Sequence, residues 1–164
     1  MYSICSGSSI VYSKWKKFMD PLVEVNEVEL AGRGRRLNEP SIDNMEEMVE
    51  DIYNSIKNNI TEPFAIFEHS MGELLTYGLC HKFQNEGNPA LVHICLRRKA
   101  PQLKGRKQLI RSFPKHEFIS EILKLDGTDN NIFKNKELED IFLPILRTEF
   151  KSIEPINLIL KAIC

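Results

Sequence analysis

Apolar residues recur at helical spacing most regularly between Asp43 and Ile60. There Met45, Met48, Val49, Ile52, Tyr53 and Ile56 share a face, and Glu46, Glu47, Glu50 and Asp51 lie toward the positive end of the helix dipole. The pattern predicts an amphipathic helix whose methionines pack and do not line a cofactor. Ahead of it, Val23 to Leu30 alternates apolar and polar residues and predicts a strand. Behind it, Pro63 to Phe67 reads as a short strand, Ser70 as a tight turn, and Met71 to about Gln84 as a second helix closed by Asn85-Glu86-Gly87-Asn88-Pro89. Ala90 to Leu96 is a third run of strand length, which places His93 inside a buried strand. Strands and helices in this alternation predict an α/β fold, a parallel sheet with right-handed crossovers.

The flanks are patterned differently. Met1 to Ser9 is small and polar and reads as a loop. Tyr12 to Met19 predicts a helix with Ser13 as N-cap, Trp15, Phe18 and Met19 on one face, Trp15 in the core, and Asp20-Pro21 as its stop. From Ala100 onward the pattern is helical only: Lys115 to Leu125, then Asn135 to about Phe150, separated by the turn-rich Asp126 to Asn131. The apolar tail Ile156 to Cys164 carries no periodicity that assigns it. The expected organisation is one partial domain, with a sheet core over 1–99, a helical lid over 100–150 and a divergent tail over 151–164.

Composition narrows the function classes. The 164 residues are 42% hydrophobic with a formal net charge of -1, which suits one globular domain and offers no basic surplus for nucleic acid. Lys104, Arg106, Lys107 and Arg111 form a local basic run, read as a solvated face. Ala31-Gly32-Arg33-Gly34-Arg35-Arg36 has too few glycines, wrongly spaced, for a phosphate-cradling motif and reads as a solvated basic loop. Cys5, Cys80, Cys95 and Cys164 include no C-x-x-C pair, which argues against a zinc site or a redox motif and suggests reduced thiols; no metal and no cofactor are expected. No apolar run approaches the length of a membrane span, and no signal peptide is visible; the expected compartment is the cytoplasm.

The candidate chemistry sits at Pro63 to Leu75. An apolar run that ends at x-x-Ser-x-Gly and continues as a helix is the context of a nucleophile elbow, here with Glu68 at the first glycine position. Ser70 needs a base to take its proton and preorganised donors for the oxyanion. Of the four histidines, His69 adjoins the serine, His81 lies along the following helix, and His93 lies in a strand. His116 is the one that follows in the cap, and it is the candidate base within this chain.

The ordering of motifs resembles the type II thioesterases that accompany nonribosomal peptide and polyketide synthetases, members of the α/β-hydrolase fold. The matching stretches are Tyr12 to Trp15, Val28 to Arg36, Pro63 to Leu75, Arg98 to Leu103, Leu125 to Thr128 and Phe142 to Arg147. The resemblance implies a parallel sheet with flanking helices, an incomplete α/β-hydrolase, under a helical lid formed by Lys115 to Phe150. It implies removal of stray acyl groups from the phosphopantetheine arm of an acyl or peptidyl carrier domain, through an acyl-serine intermediate. Ser70 would be the nucleophile and the Met71 backbone N–H one oxyanion donor. Ser3-Ile4-Cys5-Ser6-Gly7 aligns with the oxyanion loop and makes the Cys5 backbone the second donor.

Departures from the family pattern define an alternative. The chain begins about where the first strand should end, Glu68 and Glu73 replace small residues, and the later strands bearing the triad aspartate and histidine have no counterpart after Phe150. The alternative is therefore a catalytically inactive remnant or an acyl-carrier-binding module.

Overall fold

The computed structural model describes residues 2–5, 9–69, 72–87, 91–97, 109–124 and 129–163. These fall into two compact units, Met1–Ala100 and Pro101–Cys164. In the first unit Asn44 opens the helix that the spacing predicts: its Oδ1 accepts from the backbone N–H of Glu46 at 2.8 Å and of Glu47 at 3.1 Å. This helix, α1, spans Met45–Ile56 and buries Met48, Val49, Ile52, Tyr53 and Ile56.

Four strands, β1 (Tyr2–Cys5), β2 (Asn26–Val28), β3 (Phe64–His69) and β4 (Leu91–Arg97), form one parallel sheet in the order β2-β1-β3-β4. The expectation of a loop over Met1 to Ser9, with the first strand missing, is corrected: Tyr2–Cys5 pairs β2 on one side and β3 on the other. A segment this short shows no alternation of its own. Its strand state comes from backbone partners on both edges. β2 is correspondingly shorter than the alternation over Val23 to Leu30 suggests.

Helix α2 (Glu73–Asn85) packs with α1 on the sheet, and Leu75, Leu79 and Phe83 join Val28, Leu30, Ile52, Phe64 and Ile66 in one core. Phe83 meets Tyr53 and Phe64 edge to face, with ring centroids 5.0 and 5.1 Å apart. β4 is an edge strand, and His93 is exposed there together with Val92 and Ile94, against the expectation of a buried histidine.

The segment between β1 and β2 is a 3-10 helix, Ser9–Lys17, and not an α-helix capped by Ser13, whose hydroxyl donates to the Ile10 carbonyl at 2.7 Å. With three residues per turn, Tyr12 and Trp15 fall in one row. Both lie against Phe67 of β3, at centroid distances of 5.6 and 4.6 Å. Trp15 is half-buried there. The N–H groups of Phe18 and Met19 both bond to the Trp15 carbonyl, which closes the helix and turns Phe18 out to solvent, off the expected buried face.

The second unit comprises α3 (Lys115–Leu123), the short α4 (Asn131–Lys134) and α5 (Lys136–Ile163) around Ile110, Phe118, Ile122 and Phe150. α5 runs on through Phe150 and takes in most of the tail that the sequence leaves unassigned. Pro144, inside it, has no N–H for the preceding turn, and its carbonyl accepts from the Thr148 hydroxyl at 3.0 Å. Among the described residues no helix is long and apolar enough to cross a membrane.

Glu154 of α5 is buried and accepts from the Ile110 N–H at 2.6 Å and the Arg111 N–H at 3.4 Å, with the Arg111 Nε at 3.6 Å. Burial pushes this carboxyl above its ordinary range, and the two N–H groups and Arg111 offset only part of that shift. A raised folded-state value favours the protonated fold, so the contribution is full at low pH and is lost as pH rises through the raised value. Glu154→Gln keeps an acceptor and removes the titration. Urea midpoints of the two proteins, followed from about pH 4 to pH 8, are expected to diverge in favour of Glu154→Gln as pH rises; parallel curves would show that the group does not titrate with folding.

Candidate active site

From β1 the chain passes to β2 at one edge of the sheet, and from β3 to β4 at the other. The strand order therefore makes the carboxyl ends of β1 and β3 the topological switch point, the place where open α/β sheets carry a ligand crevice. The register brings the two ends together: Cys5, the last residue of β1, pairs His69, the last residue of β3. Ser70 follows His69 directly. Ser70 and Met71 lie outside the described residues, as does the side chain of Cys5, whereas the strand and helix on either side of the turn are defined.

Beneath that turn the structure accounts for Glu68. Its side chain is 0% exposed and lies against Gly72, the N-cap of α2. A Cβ built on Gly72 would stand 2.5 Å from the Glu68 Cγ and 2.6 Å from its Oε1. The carboxylate that looks out of place in the pentapeptide thus occupies the room a side chain at Gly72 would need. Thr76, one turn along α2, is also buried, and its hydroxyl has no hydrogen-bond partner among the described residues.

The loop after β1 is tied down from its far side by Glu29, a residue that sequence reasoning passes over. The buried Glu29 carboxylate accepts from the Ser9 N–H at 3.0 Å, from the Ser9 hydroxyl at 2.9 Å and from the Arg35 N–H at 3.5 Å. Gly34, at φ +45°, lets the backbone pass over that carboxylate. An acidic residue after a strand carries no signal of this role, which depends on a partner twenty residues away.

Nor is the Gly-Arg-Gly-Arg-Arg stretch a solvated loop, as its composition suggests. Arg33 is buried, and Arg36 forms a fork with Asp51 of α1 at 2.7 and 2.9 Å, pairs Glu39 at 2.6 and 2.8 Å, and donates to the Glu29 carbonyl at 3.0 Å. Asp51 and then Glu39 hold the Arg36 guanidinium charged far above its ordinary range. Arg35 remains exposed, 3.7 Å from Glu27. The loop clamps β2 to α1 and leaves one arginine for solvent.

Neither of the first unit's histidines with a described side chain lies at the carboxyl ends of β1 and β3. His81 meets the exposed Tyr77 edge to face at a centroid distance of 4.5 Å on the outer face of α2, and His93 lies in the first half of edge strand β4. His116 is on α3 of the second unit, exposed, with its Nε2 3.6 Å from a Glu117 oxygen.

A switch-point crevice with a serine turn leading into a helix is the framework of a nucleophile elbow, and comparison with known proteins decides which kind. The model of the family described as Thioesterase domain matches residues 2–161. The chain belongs to the thioesterase family. It is 32% identical over 145 residues to the gramicidin S biosynthesis protein GrsT of Aneurinibacillus migulanus, covering 88% of this chain and 57% of that protein. Among solved structures it is similar to ClbQ from the colibactin NRPS/PKS pathway, with 29% identity, a TM-score of 0.81, and coverage of 92% of this chain and 64% of ClbQ. RedJ, a thioesterase of the prodiginine pathway in Streptomyces coelicolor, matches at 26% identity and a TM-score of 0.77 over 93% of this chain and 62% of RedJ. The chain thus spans about three-fifths of the length of these relatives. The thioesterase-family chain has the expected α/β fold, the parallel-sheet portion of an α/β-hydrolase with flanking helices.

Proposed function

We propose that this chain acts as a type II thioesterase that removes acyl groups from the phosphopantetheine arm of an acyl or peptidyl carrier domain. The observation that supports the reading best is the pairing of Cys5 with His69, which starts the oxyanion-loop candidate and the Ser70 turn side by side at the switch point. In this reading the Ser70 Oγ attacks the thioester carbonyl while a base takes its proton. The tetrahedral oxyanion accepts from the backbone N–H groups of Met71 and Cys5. Collapse expels the pantetheine sulfur, which receives the proton, and leaves an acyl-serine. Water, deprotonated by the same base, then frees the acid and restores Ser70. The base comes from His116 or from a partner chain.

A second reading, a carrier-binding module without hydrolysis, is favoured by one observation: no described histidine side chain of the first unit stands at the crevice. A serine-directed fluorophosphonate probe and an acyl-thioester analogue with thiol-release detection separate the two. The hydrolase reading expects labelling at Ser70 and turnover, both lost in Ser70→Ala, with turnover falling by about three orders of magnitude or more. Absence of both labelling and turnover in the unaltered protein would sink it. Labelling without turnover would assign the chain to acyl capture or carrier binding.

A further inference from the structure

Cys5, the proposed second oxyanion donor, has the nucleophile strand on one side and Glu29 on the other. Its partner on β3 is His69, and because Ile4 pairs Val28, the last residue of β2, the residues that follow, Cys5 and Glu29, come level at the carboxyl end of the sheet. The end of a strand frays unless the chain beyond it is held. Only Ser6, Gly7 and Ser8 separate Cys5 from Ser9, where the 3-10 helix begins, and Ser9 is the residue that the Glu29 carboxylate grips.

The grip uses both carboxylate oxygens. Oε1 accepts from the Ser9 N–H and Oε2 from the Ser9 hydroxyl, with the Arg35 N–H also on Oε2. Glu29 and Ser9 are both buried, at 7% and 1% exposure. Glu29 is itself fixed, since its carbonyl accepts from the Arg36 guanidinium, which is forked on Asp51 of α1. A continuous hydrogen-bonded path thus runs from α1 through Arg36 and Glu29 to Ser9. Capping one turn of helix does not call for a buried charge, because a short polar side chain does it at less desolvation cost. Locking the far end of a loop does, because hydrogen bonds to a charged acceptor are about twice as strong as neutral ones and this carboxylate fixes two donors of one residue at once.

We propose that Glu29 is a positioning residue for the reaction: through Ser9 it holds the chain after β1 so that the Cys5 N–H meets the oxyanion formed at Ser70. The inference rests on the hydrolase reading for the oxyanion and on the hydrogen bonds alone for the anchor. The test compares the unaltered protein with Glu29→Ala, with Glu29→Gln, which can still accept from the Ser9 N–H, and with Ser9→Ala, which removes only the hydroxyl arm and spares the fold. Three quantities are measured in each: turnover of an acyl-thioester analogue, the rate and end point of fluorophosphonate labelling at Ser70, and amide exchange over residues 5–9 and in α1. Glu29→Ala is expected to lower kcat about tenfold or more with KM little changed, because an oxyanion donor acts in the transition state. Ser9→Ala should lower it by less, and Glu29→Gln should recover part of what Glu29→Ala loses. Labelling should slow in the same order and reach the same end point, whereas a merely structural loss lowers the end point by removing folded protein. Exchange over residues 5–9 should quicken while exchange in α1 stays as it is.

An unchanged kcat and labelling rate in Glu29→Ala overturns the proposal. So does a loss in Glu29→Ala that a lower labelling end point accounts for in full, with Ser9→Ala unaffected. If the unaltered protein neither labels nor turns over, the hydrolase reading fails and exchange alone decides: quickened exchange over residues 5–9 in Glu29→Ala and Ser9→Ala upholds the anchor, and unchanged exchange overturns it.

Discussion

Gly72→Ala is expected to destabilise the protein by about 1–3 kcal/mol, and the same substitution made together with Glu68→Ala to cost almost nothing beyond Glu68→Ala itself. The added methyl group would lie 2.5–2.8 Å from the Glu68 Cγ, Oε1 and Cδ, closer than unbonded heavy atoms rest. A glutamate at the surface would swing away. This one is enclosed on all sides, so either the carboxylate is driven into its neighbours or the start of α2 lifts from β3. Removing the glutamate beyond Cβ clears the space, and the two changes then couple strongly in a double-mutant cycle. Urea unfolding of the four proteins measures that coupling; additive effects would mean that Glu68 does not occupy the room beneath the elbow. Because Gly72 follows the nucleophile by two residues, the single variant should also slow labelling at Ser70.

Phe118→Ala should cost the second unit about 3–5 kcal/mol, the range for deleting a buried aromatic ring. Phe118 is fully buried in a cluster completed by Ile110, Ile122 and Phe150, and it meets Phe150 edge to face at 5.8 Å. Its other role is to seat Arg147, whose guanidinium lies 4.4 Å from the ring centroid. Arg147 in turn donates to the carbonyls of Arg111 at 2.7 Å and Phe113 at 2.9 Å, stitching the stretch before α3 onto α5. Loss of the ring removes core packing and the platform for that stitch together. Amide exchange in α3 and α5 is the readout: protection should collapse in both, and retention of protection in α5 would show that its register does not depend on Phe118.

The elements that declared themselves in the sequence are those whose packing repeats along their own length. α1 was legible because its buried positions recur every three or four residues, although the pattern overran its carboxyl end at Ile56 and did not mark Asn44 as its cap. The strand before Ser70 and the helix after it were legible for the same reason, and with them the candidate nucleophile. β1 was not, since four residues paired on both sides need no alternation. Phe18 was misplaced because a 3-10 turn moves it off the face that an α-helix would give it. The arginine loop was misjudged because Asp51, the partner on α1, lies fifteen residues along the chain and outside the local window. Glu68 was visible as an anomaly, but only the packing against Gly72 shows why that glycine is required.

The placement of β1 also bears on how the sheet is made. Tyr2–Cys5 emerges from the ribosome before either neighbour, yet its pairing with β3 requires Phe64–His69. At about 5–20 residues per second, translation leaves this strand without its second partner for several seconds. During that interval its backbone groups are open to any other extended segment. Slow decoding between residues 6 and 64 would prolong the exposure.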